Sequence, residues 1–232
     1  MTGIRVELHG AVALFTGRDG GVSTGPFRSL NLGLWTDDAR EAVQENRGLV
    51  SDAAGGRALA QAHQVHGTEV VRWGDDDPEG ALPKADGGVT ARDDLAPIVL
   101  TADCLPIALA APGAVGMVHA GWRGLADGVL ENGVRALREV GGDGGAIHAA
   151  IGPGAGGCCY EVGDEVAARF PGWALRRRNL DLKAVAARRL ADAGVADVVD
   201  VGRCTMCEPD VFFSHRAGGG ITGRQAGLVW RS

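Results

Sequence analysis

A cysteine and a histidine flank two short apolar segments in the middle of the chain, and their spacing suggests a shared site. The segments are Leu105–Ala110 and Ala114–Val118, and the Pro112–Gly113 pair between them is typical of a turn. In an antiparallel hairpin, Cys104 before the first segment lies at the same end as His119 after the second, and paired residues are about 4.5–5.5 Å apart. A thiol and an imidazole at one sheet edge can bind a metal ion or each other.

Two further histidines are candidate partners for this pair. His63 and His66 are three residues apart, so on a strand they face opposite sides and only one points towards Cys104. The pattern alone leaves open which one. A single cysteine or histidine in a strand is usually a core residue, but the positions of Cys104 and His119 at segment ends favour a functional site.

The residues after the second apolar segment favour anion binding. Gly121–Gly124 contains Arg123 and leads into a helical pattern, and glycines, free N–H groups and a guanidinium together suit an anion. Arg18 lies in a glycine-rich loop that is either a flexible surface loop or a backbone that approaches a ligand. Ser214 and His215 are neighbours that point apart on an extended chain, so we expect substrate contacts there rather than a Ser–His nucleophile pair.

The cysteine pattern argues against a disulfide framework. The chain has five cysteines, an odd number, and its first residues do not resemble an export signal, so free thiols or metal ligands are expected. Cys204 and Cys207 form a C-x-x-C motif without a second such pair at finger spacing, which does not favour a zinc ribbon. We therefore predict buried thiols at these two positions and a structural role for Cys158 and Cys159.

Apolar periodicity predicts alternating strands and helices in one α/β domain spanning residues 1–232, with some antiparallel pairing. One helix begins at Asp37 or Asp38 and runs to about Val50, with Ala39 and Val43 on its buried side. Residues 86–88 are expected to form a turn. The other predicted helices are Leu125–Val140, Glu161–Phe170 and Leu180–Ala193. The other predicted strands are Ile4–Leu8, Ala11–Phe15, Ala58–Val65, Thr68–Trp73, Ala96–Leu100, Ala146–Ile151, Val195–Val201, Val211–Phe213 and Gly227–Trp230.

Composition excludes several classes of protein. The 232 residues are 45% hydrophobic and 22% charged, as in an ordinary globular domain. The net charge of −6 argues against nucleic acid or an anionic membrane as partner. No segment approaches the roughly 18 apolar residues of a membrane span, and the first residues do not resemble a signal peptide, so we expect a cytoplasmic protein.

Seven short sequence motifs, in the same order, resemble those of one protein family over residues 15 to about 224. They are Phe15–Ser23, Ser29–Gly33, Glu45–Arg47, Gln64–Gly67, Thr101–Pro106, Val118–Gly124 and Phe213–Arg216. Together they resemble the bacterial purine nucleoside phosphorylase family, also known as laccase-domain or polyphenol oxidoreductase proteins and as peptidoglycan editing factors.

The resemblance implies a fold, a metal site and an activity. The implied fold is a single-domain four-layer α-β-β-α sandwich with mixed sheets. The implied zinc ligands are His66, Cys104 and His119, and three protein ligands with one open position are typical of catalytic zinc. The implied activity is phosphorolysis of adenosine, inosine, guanosine and methylthioadenosine. Adenosine deamination would use water whose pKa zinc lowers to about 7.

Purine nucleosides and inorganic phosphate are therefore the implied partners of a monomer or small homo-oligomer. Phosphorolysis requires phosphate to be held against the anomeric carbon of ribose. The Gly121–Gly124 segment with Arg123, and with Arg18 or Arg47, could supply that contact. The chain departs from the family at Gly154, where relatives often have a cysteine, so this loop is left out of the predicted catalytic set.

Two other enzyme classes compete with this hypothesis. A metal-independent hydrolase or deamidase would use Cys104 as nucleophile and His119 as base, which suits editing of peptidoglycan precursors. A copper oxidase, with copper in place of zinc, ranks last. A blue copper site takes two histidines and one cysteine, but coupled copper centres need more than the six scattered histidines of this chain.

Overall fold

The computed structural model describes residues 3–74, 81–141 and 145–232. The strands are β1 Gly3–Leu8, β2 Ala11–Thr16, β3 Ala58–Gln61, β4 Val71–Trp73, β5 Gly87–Thr90, β6 Leu95–Thr101, β7 Leu105–Ala111, β8 Ala114–Ala120, β9 His148–Ile151, β10 Leu175–Arg176, β11 Asn179–Leu180, β12 Asp197–Asp200 and β13 Gln225–Arg231. The helices are α1 Arg40–Ala53, α2 Trp122–Asp127, α3 Val129–Gly141, α4 Asp164–Ala167 and α5 Leu182–Asp192, with short 3-10 turns at Gly25–Phe27 and Gly172–Ala174.

Two large sheets carry the fold. One has the strand order β1-β2-β13-β6-β3 and the other β12-β9-β7-β8-β5-β4, while β10 and β11 form a small hairpin. The pairs β3–β6, β4–β5 and β9–β12 are parallel and the remaining pairs are antiparallel. Both large sheets are therefore mixed, as predicted.

The inner strands β2, β6, β7 and β8 are buried on both sides because each sheet is covered on both faces. In β7, Leu105 and Ile107 pack against the cluster that includes α3 and α5, whereas Ala108 packs in the cluster between the two sheets. On the other sheet, Leu14 of β2 contacts the layer that contains Val50 of α1. The four layers run α1, five-stranded sheet, six-stranded sheet, then α2, α3 and α5. This confirms the expected α-β-β-α sandwich.

The predicted central hairpin is present. β7 and β8 pair antiparallel with Pro106 opposite His119, and the turn contains Gly113 at φ 81°. Glycine adopts this left-handed backbone without a steric penalty, which explains the tight connection. Cys104 precedes β7 and therefore lies at the same end of the hairpin as His119.

Some predicted elements were wrong in detail. The single helix predicted over Leu125–Val140 is instead two helices, because Gly128 takes φ 101° and its N–H bonds Gly124 O, which ends α2. Ala39 is exposed and precedes α1 rather than packing under it. The apolar segment Val211–Phe213 is not a strand, since the N–H of Val211 closes a turn on Glu208 O.

Three other boundaries also differ from the predictions. The helix predicted over Glu161–Phe170 covers only α4, Asp164–Ala167. Strand β3 ends at Gln61 and β4 begins at Val71, which leaves a long loop between them. Gly87 and Gly88, expected in a turn, begin β5 instead. A Cβ at Gly87 would lie 3.1 Å from Met117 O, so glycine permits the close approach of β8. Within the described residues, no helix is long and apolar enough to cross a membrane.

Candidate metal centre and cleft

Three side chains from separate elements converge beside the end of the central hairpin. His66 lies in the loop between β3 and β4, Cys104 between β6 and β7, and His119 in β8. Their ligand atoms all lie within 4.8 Å of one another. Cys104 Sγ is 3.9 Å from His66 Nε2, and the two imidazole rings lie 4.9 Å apart and nearly perpendicular. This group could hold a metal ion.

The chemistry and the packing of the group fit zinc. A thiolate and two imidazoles are a donor set that zinc accepts, and three protein ligands leave a fourth position for a reactant. Gly121 closes one side of the group. A Cβ there would lie 3.0 Å from His66 Cδ2 and 3.1 Å from Cys104 Sγ. Glycine at this position therefore preserves the space between the donors.

Asp86 orients two of the three side chains, and sequence analysis missed this role. Its Oδ1 accepts from His119 Nδ1 at 2.8 Å and from the backbone N–H of His66 at 2.9 Å. Its Oδ2 accepts from the N–H groups of Val65 and Gly67 at 3.1 and 2.6 Å. A carboxylate holds the proton on His119 Nδ1 and leaves Nε2 free as a ligand. The sequence signal was only a lone aspartate before two glycines.

The structure places His63 outside the group. Its ring packs edge-on against Trp35, with centroids 4.9 Å apart, and its backbone pairs with Lys84. Gln64 anchors the intervening loop, because its side chain donates to Leu100 O and accepts from Leu100 N, both at 2.8 Å. This anchor turns His66, rather than His63, towards Cys104.

Two residues of the site have strained backbones. His66 has φ 59° and Asp103 has φ 90°, a left-handed region that non-glycine residues rarely adopt. The Asp103 carboxylate offsets this strain by accepting from Thr205 Oγ1 at 2.7 Å and from Arg216 N at 2.8 Å. Such strain is characteristic of functional sites, where the surrounding hydrogen bonds hold the backbone.

The charges within the group favour a thiolate. Burial alone would raise the pKa of Cys104, but the charge and hydrogen bonds of His119, with those of His66, lower it to about 6. Burial would lower the pKa of His119, yet Cys104 and Asp86 raise it to about 9. Without a metal ion the pair therefore exists as thiolate and imidazolium near neutral pH, and an ion would bind a ligand already deprotonated at sulfur.

A cleft of about 500 Å³ opens above the group. Trp35, Trp122 and Tyr160 provide aromatic surfaces, and Trp35 is 60% exposed at its mouth. Burial raises the pKa of Tyr160 to about 12, so its hydroxyl stays protonated. Flat aromatic walls around a cavity of this size suit a planar heterocycle.

Two polar side chains in the cleft wall have unsatisfied hydrogen-bonding groups. Gln61 and Thr101 are 4% and 2% exposed, and the amide of Gln61 and hydroxyl of Thr101 bond to no described residue. A buried polar group without a partner costs about 1–3 kcal/mol. Both residues line the cleft, so a bound ligand could supply the missing partners.

Arginines make the cleft basic. Arg123, Arg216 and Arg224 line it together with His215. Arg216 donates to Glu161 O and Arg224 to Thr222 O, while the guanidinium of Arg123 lies 4.3 Å from the ring of Trp122. None of the three forms a salt bridge with a carboxylate of the described residues, so their positive charge is available to an anionic ligand.

Four predicted binding residues are not among the residues that line this cleft, namely Arg18, Arg47, Gly121 and Ser214. Gly121 lies beside the three metal ligands instead. Arg18 donates to the carbonyls of Arg28 and Pro209, at 3.0 and 2.5 Å, and its guanidinium covers the Phe213 ring. Arg47 donates to Leu32 O, and burial lowers its pKa. The hydroxyl of Ser214 accepts from Ala217 N. These side chains stabilise the loops around the cleft.

Known proteins resemble the chain along nearly its whole length. The multi-copper polyphenol oxidoreductase laccase family model matches residues 12–232. A protein of Streptomyces coelicolor named purine nucleoside phosphorylase is 40% identical over 248 residues, covering 99% of both chains. A Deinococcus radiodurans protein of the same name is 39% identical, covering 93% of this chain and 87% of its own length.

Solved structures agree with the sequence comparisons. A crystal structure of a Neisseria meningitidis protein superposes with a TM-score of 0.89 at 35% identity, covering 99% of each chain. YlmD from Geobacillus stearothermophilus superposes with a TM-score of 0.86 at 35% identity, covering 96% of this chain and 92% of its own.

Proposed function

The chain belongs to the multi-copper polyphenol oxidoreductase laccase family, and we propose that it is a zinc-dependent purine nucleoside phosphorylase. The reaction joins a phosphate oxygen to C1′ of the ribose as the bond from C1′ to the purine breaks. The products are a free base, which takes up a proton, and ribose 1-phosphate. Relatives named for this activity support the proposal.

Phosphate would bind to the arginines of the cleft. Arg123, Arg216 and Arg224 offer several N–H donors each, and guanidinium groups match phosphate oxygens in pairs. Binding the nucleophile beside the sugar removes much of the entropic barrier to attack. The helix α2 is only six residues long, so the arginines rather than its N-terminus carry this role.

The purine would occupy the aromatic part of the cleft. Trp35 and Tyr160 can stack on its faces. The amide of Gln61 can both donate to and accept from the polar edge of a purine, which would satisfy its unpaired groups.

The residues His66, Cys104 and His119 would hold the zinc ion, and Asp86 would keep the imidazoles in position. When bound, zinc supplies Lewis-acid polarisation of an oxygen or nitrogen in the reactants. The family description names copper, so metal analysis decides between the two ions. His9 and His148 stack on each other 4.7 Å apart, and His63 packs on Trp35, so neither group extends the triad towards a coupled copper centre.

The proposal depends most on one observation: three guanidinium groups that form no salt bridge within the described residues line the same cleft as the His–Cys–His group. The test incubates the purified protein with inorganic phosphate and adenosine, inosine, guanosine or methylthioadenosine. Free base and ribose 1-phosphate should form in equal amounts, and only when phosphate is present. Base release without phosphate, or none above the enzyme-free rate, would contradict the proposal.

Variants localise the activity. His119→Ala should reduce base release to the enzyme-free rate, whereas His63→Ala, a nearby histidine outside the triad, should retain most of it. Arg216→Gln should raise the KM for phosphate more than the KM for nucleoside, because it removes a guanidinium group proposed to bind phosphate. The substitution should leave the loop in place, since the backbone N–H of residue 216 still donates to Asp103. Arg169→Gln, on the surface, is the control for loss of one positive charge.

We also propose that the protein deaminates adenosine. Adenosine should then yield inosine or hypoxanthine with ammonia, in a reaction that does not need phosphate. Detecting only adenine and ribose 1-phosphate would exclude it.

A Cys–His hydrolase is the second candidate, favoured by the thiolate–imidazolium pair of Cys104 and His119. The two candidates differ in their need for metal. Activity that survives chelation and is lost on alkylation of Cys104 would support the hydrolase. Activity that is lost on chelation and restored by zinc would support the phosphorylase.

A further inference from the structure

A second group of metal-ligating side chains lies outside the triad. The sulfurs of Cys158, Cys159, Cys204 and Cys207 all lie within 4.8 Å of one another. We propose that these four cysteines, named here the four-cysteine cluster, bind a structural zinc ion that holds two loops of the cleft together. The four-cysteine cluster uses every cysteine of the chain except Cys104.

Sheet topology brings the two cysteine pairs together. β9 and β12 are parallel neighbours, so the loops that follow them leave from the same edge. The loops are then joined by backbone bonds, with Gly154 N donating to Arg203 O and Thr205 N to Gly154 O. The prediction of buried thiols at Cys204 and Cys207 was wrong, because Cys204 is half-buried and Cys207 is exposed. The same topology explains why the C-x-x-C motif has no neighbouring pair in the sequence. Its partner pair lies about 45 residues earlier in the chain.

The distances between the sulfurs suit one tetrahedral ion. With Zn–S bonds of about 2.3 Å, the sulfurs of a tetrahedral site lie about 3.8 Å apart. Cys207 Sγ lies 3.5 Å from Cys158 Sγ and 3.1 Å from Cys159 Sγ. A disulfide joins one sulfur to one partner and does not require four to converge. An iron–sulfur cluster holds its cysteines farther apart, because inorganic sulfide lies between the irons.

The backbone around the cluster is arranged for thiolates. The N–H groups of Gly156 and Cys207 both donate to the sulfur of Cys204, the former at 3.3 Å. Such bonds stabilise negative charge on a metal-bound sulfur. A Cβ at Gly156 would lie 3.1 Å from Cys158 Sγ and 3.4 Å from Cys204 Sγ, so a larger residue would crowd the cluster. Cys159 and Tyr160 donate their N–H groups to Gly156 O, which folds the adjacent cysteines back over this glycine.

The cluster is connected to the cleft on both sides. Tyr160 follows Cys159 directly and lines the cleft. Thr205 lies between the cysteines of the C-x-x-C motif and donates to Asp103, the neighbour of Cys104. An ion in the cluster would therefore hold both Tyr160 and the turn that carries Cys104. We assign it a positioning role, separate from the reacting atoms.

The test measures metal in the full-length protein and does not depend on enzymatic activity. The variant Cys158→Ser/Cys207→Ser should contain one zinc ion per chain fewer than wild type. The variant Cys104→Ser/His119→Ala retains the cluster, and after cobalt(II) substitution should show the intense thiolate charge-transfer absorption of a tetrahedral tetrathiolate site. Unchanged metal content in the first variant, or a metal other than zinc, would overturn the proposal.

A second measurement uses the wild-type protein, in case the variants do not fold. Titration with a mercurial thiol reagent, followed by a zinc-sensitive dye, should release two zinc ions per chain: one as Cys104 is modified, and a second as the four cysteines are modified. Tyr160 is the only tyrosine in the chain, so the ring signal of isotope-labelled tyrosine should shift or broaden as this zinc leaves. Disulfides among the four cysteines in freshly purified protein, found by mass spectrometry, would refute the metal assignment.

Discussion

The substitution Asp86→Asn removes one negative oxygen from a carboxylate that has no solvent exposure. Each oxygen accepts two N–H groups. One takes those of His119 and His66, and the other those of Val65 and Gly67. In asparagine one oxygen becomes an amide NH2, which is itself a donor. In either orientation of the amide, two N–H groups therefore lose their acceptor.

The expected loss of stability follows from these two lost hydrogen bonds. An unsatisfied buried donor costs about 1–3 kcal/mol, so Asp86→Asn should lower the free energy of unfolding by about 2–6 kcal/mol. If the amide nitrogen faces His119, the imidazole moves its proton to Nε2 and loses its ligand lone pair. If it takes the place of Oδ2, the N–H groups of Val65 and Gly67 lose their acceptor, and the loop that carries His66 is held less firmly. Changes in such supporting residues weaken metal binding about 10–100-fold, or about 1.4–2.7 kcal/mol.

The assay separates loss of positioning from loss of stability. Zinc affinity is measured by competition with a chromophoric chelator, and the free energy of unfolding by urea titration of the metal-free protein. Leu137→Ala is the control. It removes a fully buried side chain from α3 and should cost about 2–5 kcal/mol of stability without touching the triad. If Asp86→Asn binds zinc within twofold of wild type, Asp86 does not position the ligands.

Three other perturbations test the site. Gly121→Ala should weaken zinc binding at least about tenfold, because its Cβ would lie 3.0 Å from His66 and 3.1 Å from Cys104. Equal affinity by chelator competition would show that the ligands tolerate the methyl group. Gln61→Ala should raise the KM for nucleoside about tenfold while zinc content stays the same, since it removes a predicted base contact. An unchanged KM would remove Gln61 from the base site. After chelation, alkylation of Cys104 by iodoacetamide should accelerate as pH rises from 5 to 7, because a pKa of about 6 makes the thiolate predominate above that pH. A rise only above pH 8 would contradict the ion pair with His119.

Local sequence patterns predicted the central part of the fold. The two apolar segments and the Pro112–Gly113 turn define a hairpin because strand and turn preferences arise from contacts between near neighbours. That hairpin alone places Cys104 and His119 at one end of a sheet. The resemblance to the family's sequence motifs, rather than apolar periodicity, predicted His66 as a ligand and the four-layer architecture. The end of the first helix at Gly128 was not predicted. One glycine with a left-handed backbone hardly changes the spacing of apolar residues before and after it, so the pattern still reads as one helix.

Only the tertiary structure decided which distant residues share a cleft. Arg18 lies in a glycine-rich loop typical of ligand binding, yet its guanidinium binds Pro209 O, 191 residues away in the chain. Asp86 and Gln61 carry no local signal, and their roles follow from the strands that pack beside them. The four cysteines meet because β9 and β12 pair in parallel. Local sterics set turns and strands, whereas the sulfur cluster, the carboxylate contacts and the cleft depend on register between strands far apart in sequence.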